Sequence, residues 1–237
     1  MALTLFTNPE YNFVGEQKAN MAYSLPSLVQ EITSKTELLP LPGKLSSLVA
    51  GLPRGCISEI VGQRSGRRSA GCAALVHSIL AESIARGEIC ALVDWANSFD
   101  PANALRNGVT LQQLLWVRCD RRMDRALKVA DALLHTGGFG VVVLDLYGIA
   151  PGTLRQISLS WWYRFRKAIE HSPAILAIAG DQAVSGSCAS CVIEIERRRT
   201  RWSGSMQFPL FAGIDLQGSL RKPGRAASVF LCANIAG

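Results

Sequence analysis

The chain has 237 residues, 49% of them hydrophobic and 18% charged, with a formal net charge of +7. That balance excludes a disordered chain, and no apolar run reaches the roughly 18 to 20 residues that span a bilayer. The length suits one domain of ordinary size with a substantial core.

The N-terminus, MALTLFTNPEYNF, has no basic start and no continuous apolar centre, so it does not read as a secretory leader. Residues 1 to about 24 show no clear period and are expected to form a mobile arm. Leu28 to Ile32 begins a helix after Pro26. The run Leu38-Leu39-Pro40-Leu41-Pro42-Gly43 is turn-rich and marks a boundary, so the arm is taken as residues 1–43. Lys44 to Gly51 suits a short helix, closed by Gly51-Leu52-Pro53.

From there strands and helices alternate. Strand Cys56–Val61 precedes helix Ala70–Arg86, with Gly87 as its stop. Strand Ile89–Val93 ends at Asp94, a short helix covers Pro101–Asn107, and Leu114–Val117 is a third strand. In helix Met123–His135, Met123, Ala126, Leu127, Ala130, Leu133 and Leu134 share a face. Strand Gly140–Leu144 ends at Asp145, helix Thr153–Glu170 follows, and then strand Ala174–Ala179. Continuous apolar strands alternating with helices indicate an α/β fold: a mostly parallel sheet covered on both faces. Ligands on such sheets sit at the carboxyl ends of the strands, here Gly62, Asp94, Asp145 and Gly180.

Past Gly180 the texture changes. Asp181 to Ser190 reads as a loop and Cys191–Ile195 as a strand, and helix signals are absent beyond it. The core is therefore set at residues 44–200 and a basic extension at 201–237. Charge follows this division. Residues 1–53 carry −1 (Lys18, Lys35 and Lys44 against Glu10, Glu16, Glu31 and Glu37). Residues 197–237 carry +6 (Arg197, Arg198, Arg199, Arg201, Arg221, Lys222 and Arg225 against Asp215). Arginine forks suit phosphate and carboxylate partners.

The stretch that carries most information is CISEIVGQRSGRRS, residues 56–69. An apolar strand, a small basic loop and a helix form the context of a phosphate-binding loop. In the pattern G-x-x-x-x-G-K-[ST], backbone N–H groups cradle phosphates, lysine reaches them and the hydroxyl holds magnesium. Gly62 and Ser69 fill the outer positions. Between them run Gln63, Arg64, Ser65, Gly66, Arg67 and Arg68. Gly66 comes one position early, Arg67 stands where glycine belongs, and Arg68 stands where lysine belongs. Arginine keeps the charge but is bulkier and planar, so the exchange is not conservative in a tight loop.

Other features carry less. The seven cysteines are odd in number and sit mostly in apolar runs, as buried free thiols would; Cys188-x-x-Cys191 stands alone and is assigned no metal. Arg118, Arg121, Arg122 and Arg125 alternate with Asp120 and Asp124, as on a solvated helix start. Trp161, Trp162 and Tyr163 cannot all face one core, because neighbours on a helix lie about 100° apart. An exposed tryptophan beside Arg164, Arg166 and Lys167 would suit a protein interface.

From Gly51 to Arg198 the chain resembles the RecA-type ATPase core. The resemblance rests on GLPRGCISEIVG before the loop, LVDWANSFDP at the second strand and VVVLDL at the fourth. It implies a RecA-like fold and places Asp145 at the aspartate that holds the magnesium shell. Two expected groups are replaced. The glutamate that orients the attacking water is Ala96 here, and the adenine-stacking aromatic past Asp100-Pro101 is Asn103. Losing the oriented glutamate and the lysine removes water positioning and charge stabilisation, the main contributions to phosphoryl transfer.

Within that group, the short length, the arginine-for-lysine loop and the basic tail resemble the ImuA family. This implies a non-catalytic, cytoplasmic, nucleoid-associated accessory of bacterial damage-induced mutagenesis. Its partners would be an ImuB-like Y-family polymerase homologue, RecA, an error-prone DnaE-type polymerase indirectly, and DNA bound weakly without sequence preference. No catalytic residue and no required cofactor are expected, with residual ATP–magnesium binding at Gly62–Ser69 and Asp145 as the alternative. Arg197, Arg198, Arg199, Arg201, Trp202 and Phe211 are the expected DNA or partner contacts. The rival functions are a DNA-dependent ATPase of the recombinase type and a SulA-like division inhibitor.

Overall fold

The computed structural model describes residues 3–6, 37–41, 43–63, 71–205, 207–223 and 227–235. Eleven strands are formed among them: β1 (Leu3–Phe6), β2 (Leu38–Pro40), β3 (Gly51–Pro53), β4 (Cys56–Gln63), β5 (Ile89–Asp94), β6 (Leu114–Arg118), β7 (Phe139–Asp145), β8 (Ile175–Gly180), β9 (Ala189–Ser205), β10 (Phe208–Lys222) and β11 (Ala227–Ile235). The helices are α1 (Cys72–Ala85), α2 (Pro101–Arg106), α3 (Met123–Thr136), α4 (Pro151–Arg155) and α5 (Leu159–Ile169).

Nine strands build one sheet in the order β1-β11-β10-β9-β4-β8-β7-β5-β6, and β2 pairs with β3 in a small hairpin. From β9 to β6 all neighbours run parallel. The strands β10, β11 and β1 continue the sheet antiparallel. The inner parallel strands are mostly apolar because both faces are covered. On one face α1 packs Leu75, Ile79 and Leu80 against Ile60, Val141 and Ile193. On the other, α3 and α5 pack Leu127, Ala130, Trp162 and Phe165 against Ile57, Val142 and Leu176. The expected α/β fold, a mostly parallel sheet with helices on both faces, is the observed one.

The crossover from β8 to β9 passes β4, since β4 lies between them in the sheet. It contains no α-helix, only a short 3-10 turn at Gly186–Cys188. One buried carboxylate fastens it. Glu59, in the middle of β4 and 1% exposed, accepts from Val184 N at 2.8 Å, from Ser185 N at 2.9 Å and from the Ser185 hydroxyl.

Three expectations need correction. Helix Thr153–Glu170 is two helices, α4 and α5, because Ser158 caps a new start by accepting from Ser160 N at 3.3 Å. The basic extension 201–237 is continuous with the core: β9 crosses position 200 unbroken, and Ile214, Leu216 and Leu220 of β10 are buried in the same cluster as α1. Within the expected arm 1–43, Leu3–Phe6 is a sheet edge strand on β11, and Leu38–Pro40 pairs with β3. The helix expected at Leu28–Ile32 lies outside the described residues. Of the aromatic triplet, Trp162 is buried, Trp161 is partly buried beneath the Arg164 guanidinium at 5.9 Å, and Tyr163 is the exposed member.

Candidate functional site

The carboxyl ends of β4, β5, β7 and β8 bring Gly62, Asp94, Asp145 and Gly180 to one rim of the sheet. Of the expected phosphate loop, Gly62 is buried at the end of β4, and Gln63 closes the strand opposite Glu196. Arg64, Ser65, Gly66, Arg67, Arg68 and Ser69 lie outside the described residues. Helix α1 begins past them, with Gly71 at its N-cap in a left-handed conformation (φ 86°) and no side-chain cap.

Asp94 is fully buried and holds three donors. It accepts from Ser98 N at 3.1 Å, Phe99 N at 3.0 Å and Trp116 Nε1 at 3.2 Å. Those bonds shape the Trp95–Phe99 turn, which carries Ala96. The three non-glycine residues with left-handed backbone among the described ones gather here: Asn97 at φ 57°, Asp120 at 51° and Arg121 at 59°. They clamp one another, since Asn97 Nδ2 donates to Asp120 Oδ1 at 2.7 Å and Arg121 N to Trp95 O at 2.8 Å. Strained backbone held by mutual bonds makes this turn rigid. Past it, Asp100 caps α2 by accepting from Ala102 N and Asn103 N, and Asn103 Oδ1 accepts from Asn107 Nδ2. Asn107 in turn meets the buried His77, whose imidazole burial holds below its ordinary pKa.

Asp145 is half-buried and accepts from Tyr147 N at 2.9 Å. Burial pushes its carboxyl up to about 6, and the nearby Asp94 and Asp181 push the same way. Asp181 accepts from Gly148 N at 3.1 Å. The Tyr147 hydroxyl reaches back to Gly62 O at 3.5 Å, and the Cys72 thiol is hydrogen-bonded to the Tyr147 side chain. Burial pushes that thiol up to about 12. Tyr147, Cys72, Glu59 and Asp181 were missed in the sequence. An acid inside the apolar strand Ile57–Val61 was the available signal for Glu59; Tyr147 and Cys72 carry no local one.

The expected contact residues lie elsewhere. Arg197, Arg198, Arg199 and Arg201 line β9, where Glu196 of the same strand and Asp215 of β10 partly offset them. Arg201 pairs with Asp215 at 3.0 Å, Arg198 with Glu196 at 3.2 Å, and Arg199 stands opposite Asp215 in register. Beyond Glu196, β9 has no partner on the β4 side, and before Gly213, β10 has none on the β11 side, among the described residues. Among the described residues, Trp202 to Phe211 is thus a two-stranded ribbon of β9 and β10 alone. That ribbon contains no charged residue. Trp202 is 57% exposed, Phe208 76% and Leu210 65%. The backbone of Phe211 pairs opposite Trp202. Arg118, Arg122 and Arg125 are engaged locally, over Trp116, with Asp124 and with Asp120.

Compared with known families, residues 32–152 match the RecA N-terminal domain. Among curated proteins, the chain is 39% identical over 97 residues to Protein RecA of Rhodospirillum rubrum, covering 41% of this chain and 25% of that protein. Against Protein RecA of Rhizobium etli it is 40% identical over 97 residues, 41% of this chain and 26% of that protein. Against Protein RecA of Rickettsia prowazekii it is 34% identical over 97 residues, with 41% and 27% covered. The chain thus matches about a quarter of the length of these relatives. Among the described residues no helix is long and apolar enough to cross a membrane.

Proposed function

The chain belongs to the RecA N-terminal domain family, and from that membership we propose that it is a non-catalytic adaptor in the bacterial DNA damage response. It is an ImuA-type accessory of error-prone translesion synthesis. It docks an ImuB-like polymerase subunit first and a RecA filament second, with a DnaE-type polymerase reached through them. The observation that carries this reading is the uncharged ribbon, with Trp202, Phe208 and Leu210 exposed on it. Phosphate binding needs free cations, and at the ribbon's root Arg198 is paired with Glu196 and Arg201 with Asp215, which lowers the charge open to a polyanion. Large exposed apolar side chains instead fit pockets on a protein, where a few anchors dominate affinity. Contact with DNA is a weak secondary property that falls with salt.

Capture of the purified polymerase subunit by the full-length chain tests the reading. Trp202→Ala or Phe208→Ala should weaken capture by about 2 kcal/mol, roughly thirtyfold. The same changes should leave the melting temperature nearly unchanged, because both side chains are exposed. Arg68→Ala should leave capture intact. Silence of both ribbon changes, with loss of capture in Arg68→Ala, would move the partner site to the loop.

ATP turnover should be absent, since Ala96 offers no carboxylate to the attacking water and Asp94 is buried and committed to three donors of the fold. The measurement is phosphate release with magnesium and DNA. A rate on the order of 1 per second that vanishes in Asp145→Ala would establish the recombinase-type ATPase instead.

A further inference from the structure

A strand–loop–helix phosphate site needs open space between the strand end, the helix N-terminus and the magnesium-holding aspartate. Gly62, Gly71 and Asp145 mark those three walls here. At the strand end, a Cβ built on Gly62 would stand 2.6 Å from Cys72 Sγ and would collide with the Tyr147 hydroxyl. At the helix start, Gly71 and Cys72 are both buried. A Cβ on Gly71 would stand 2.6 Å from Leu216 Cδ1, a residue of the antiparallel strand β10. At the aspartate, the Tyr147 N–H already occupies Asp145 Oδ1.

Tyr147 connects these walls. Its backbone follows β7, and its hydroxyl meets the carbonyl of Gly62 on β4. The strand β8 lies between β7 and β4, so the side chain crosses the carboxyl end of β8 like a bar. Magnesium-bound nucleotide on a strand–loop–helix site needs the space between the end of β4 and Asp145, and here the Tyr147 side chain stands in it.

We infer that Tyr147 excludes magnesium-bound nucleotide from this chain by filling the space between Gly62 and Asp145. The exclusion adds to that of the altered loop and rests on the non-catalytic reading above. Tyr147 acts as a specificity-determining residue, and its reach, rather than its hydroxyl, is what matters. The carbonyl contact at 3.5 Å is long, whereas the ring supplies the volume.

The test titrates a fluorescent ATP analogue with magnesium into the full-length chain and its variants. Wild type and Tyr147→Phe should show no saturable binding at millimolar nucleotide. Tyr147→Ala should gain magnesium-dependent binding at least tenfold tighter than any wild-type signal, and adding Asp145→Ala should abolish the gain. Tyr147→Leu keeps apolar packing over Cys72 while shortening the reach. It should melt close to wild type and gain binding as well. If both shortened variants stay as inert as wild type, the bar is not the excluding element, and the non-catalytic reading stands without it. If wild type binds as tightly as Tyr147→Ala, the inference fails. Wild-type hydrolysis alongside that binding would overturn the non-catalytic reading too.

Discussion

Replacing Glu59 by alanine should destabilise the domain by about 4 kcal/mol, a fall of roughly 10 °C in melting temperature for a chain of this size. The carboxylate is 1% exposed and accepts from two backbone N–H groups and a hydroxyl. Its removal strands those donors in a site that water does not reach, each costing about 1 to 3 kcal/mol. Glu59→Gln keeps one acceptor oxygen and should lose less, about 1 to 2 kcal/mol. Denaturant melts of the three proteins make the comparison. A loss below about 1 kcal/mol in Glu59→Ala would mean that the β8–β9 crossover is held by its apolar contacts alone, through Val184, Cys188 and Ala189.

Asp145 should show the opposite sign. Asp145→Asn should stabilise the protein at pH 8 by on the order of 2 kcal/mol. The carboxyl is raised from 3.8 to about 6. Between those values the folded state holds a proton that the unfolded chain releases, so stability falls as pH rises through that window. Above it the ionised group opposes folding at full strength. Asparagine carries no such charge and can still accept from Tyr147 N. The advantage should therefore shrink as the pH falls from 6 and vanish near pH 4. Thermal melts across pH 4 to 8 provide the check. A variant that is less stable than wild type at pH 8 would show that the ionised carboxylate makes a favourable contact in the fold.

Most of the parallel core was legible because its strands are continuous apolar runs with clear punctuation. Strand Gly140–Leu144 is expected where Phe139–Asp145 forms, and helix Met123–His135 where Met123–Thr136 forms. Both signals are local. The misreadings involve partners distant in sequence. Arg197 to Arg201 looks like the end of a strand until Asp215 arrives alongside it from β10. The break at Ser158 is hidden because Leu154, Ile157, Trp161 and Phe165 keep helical spacing across it. At the site, the substitutions at Ala96 and Arg68 were visible as residue types. Tyr147 was not, because nothing near position 147 announces that its ring will meet Gly62 and Cys72.

The placement of β4 bears on how the chain is made. It is an early strand flanked on both sides by late ones: Cys56 pairs with Ile175, and Ser58 with Cys191. A ribosome adds about 5 to 20 residues per second, so a nascent β4 waits on the order of ten seconds for its first neighbour. Throughout that wait an apolar strand has two unsatisfied edges, with α1 the first described helix to emerge that packs on it and α5 following shortly before β8. Parallel pairing between distant segments is slow even after synthesis, because loop-closure entropy opposes it. The central strand of this sheet is thus the segment most exposed to mispairing, and holding chaperones would have the most to protect there until the last third of the chain emerges.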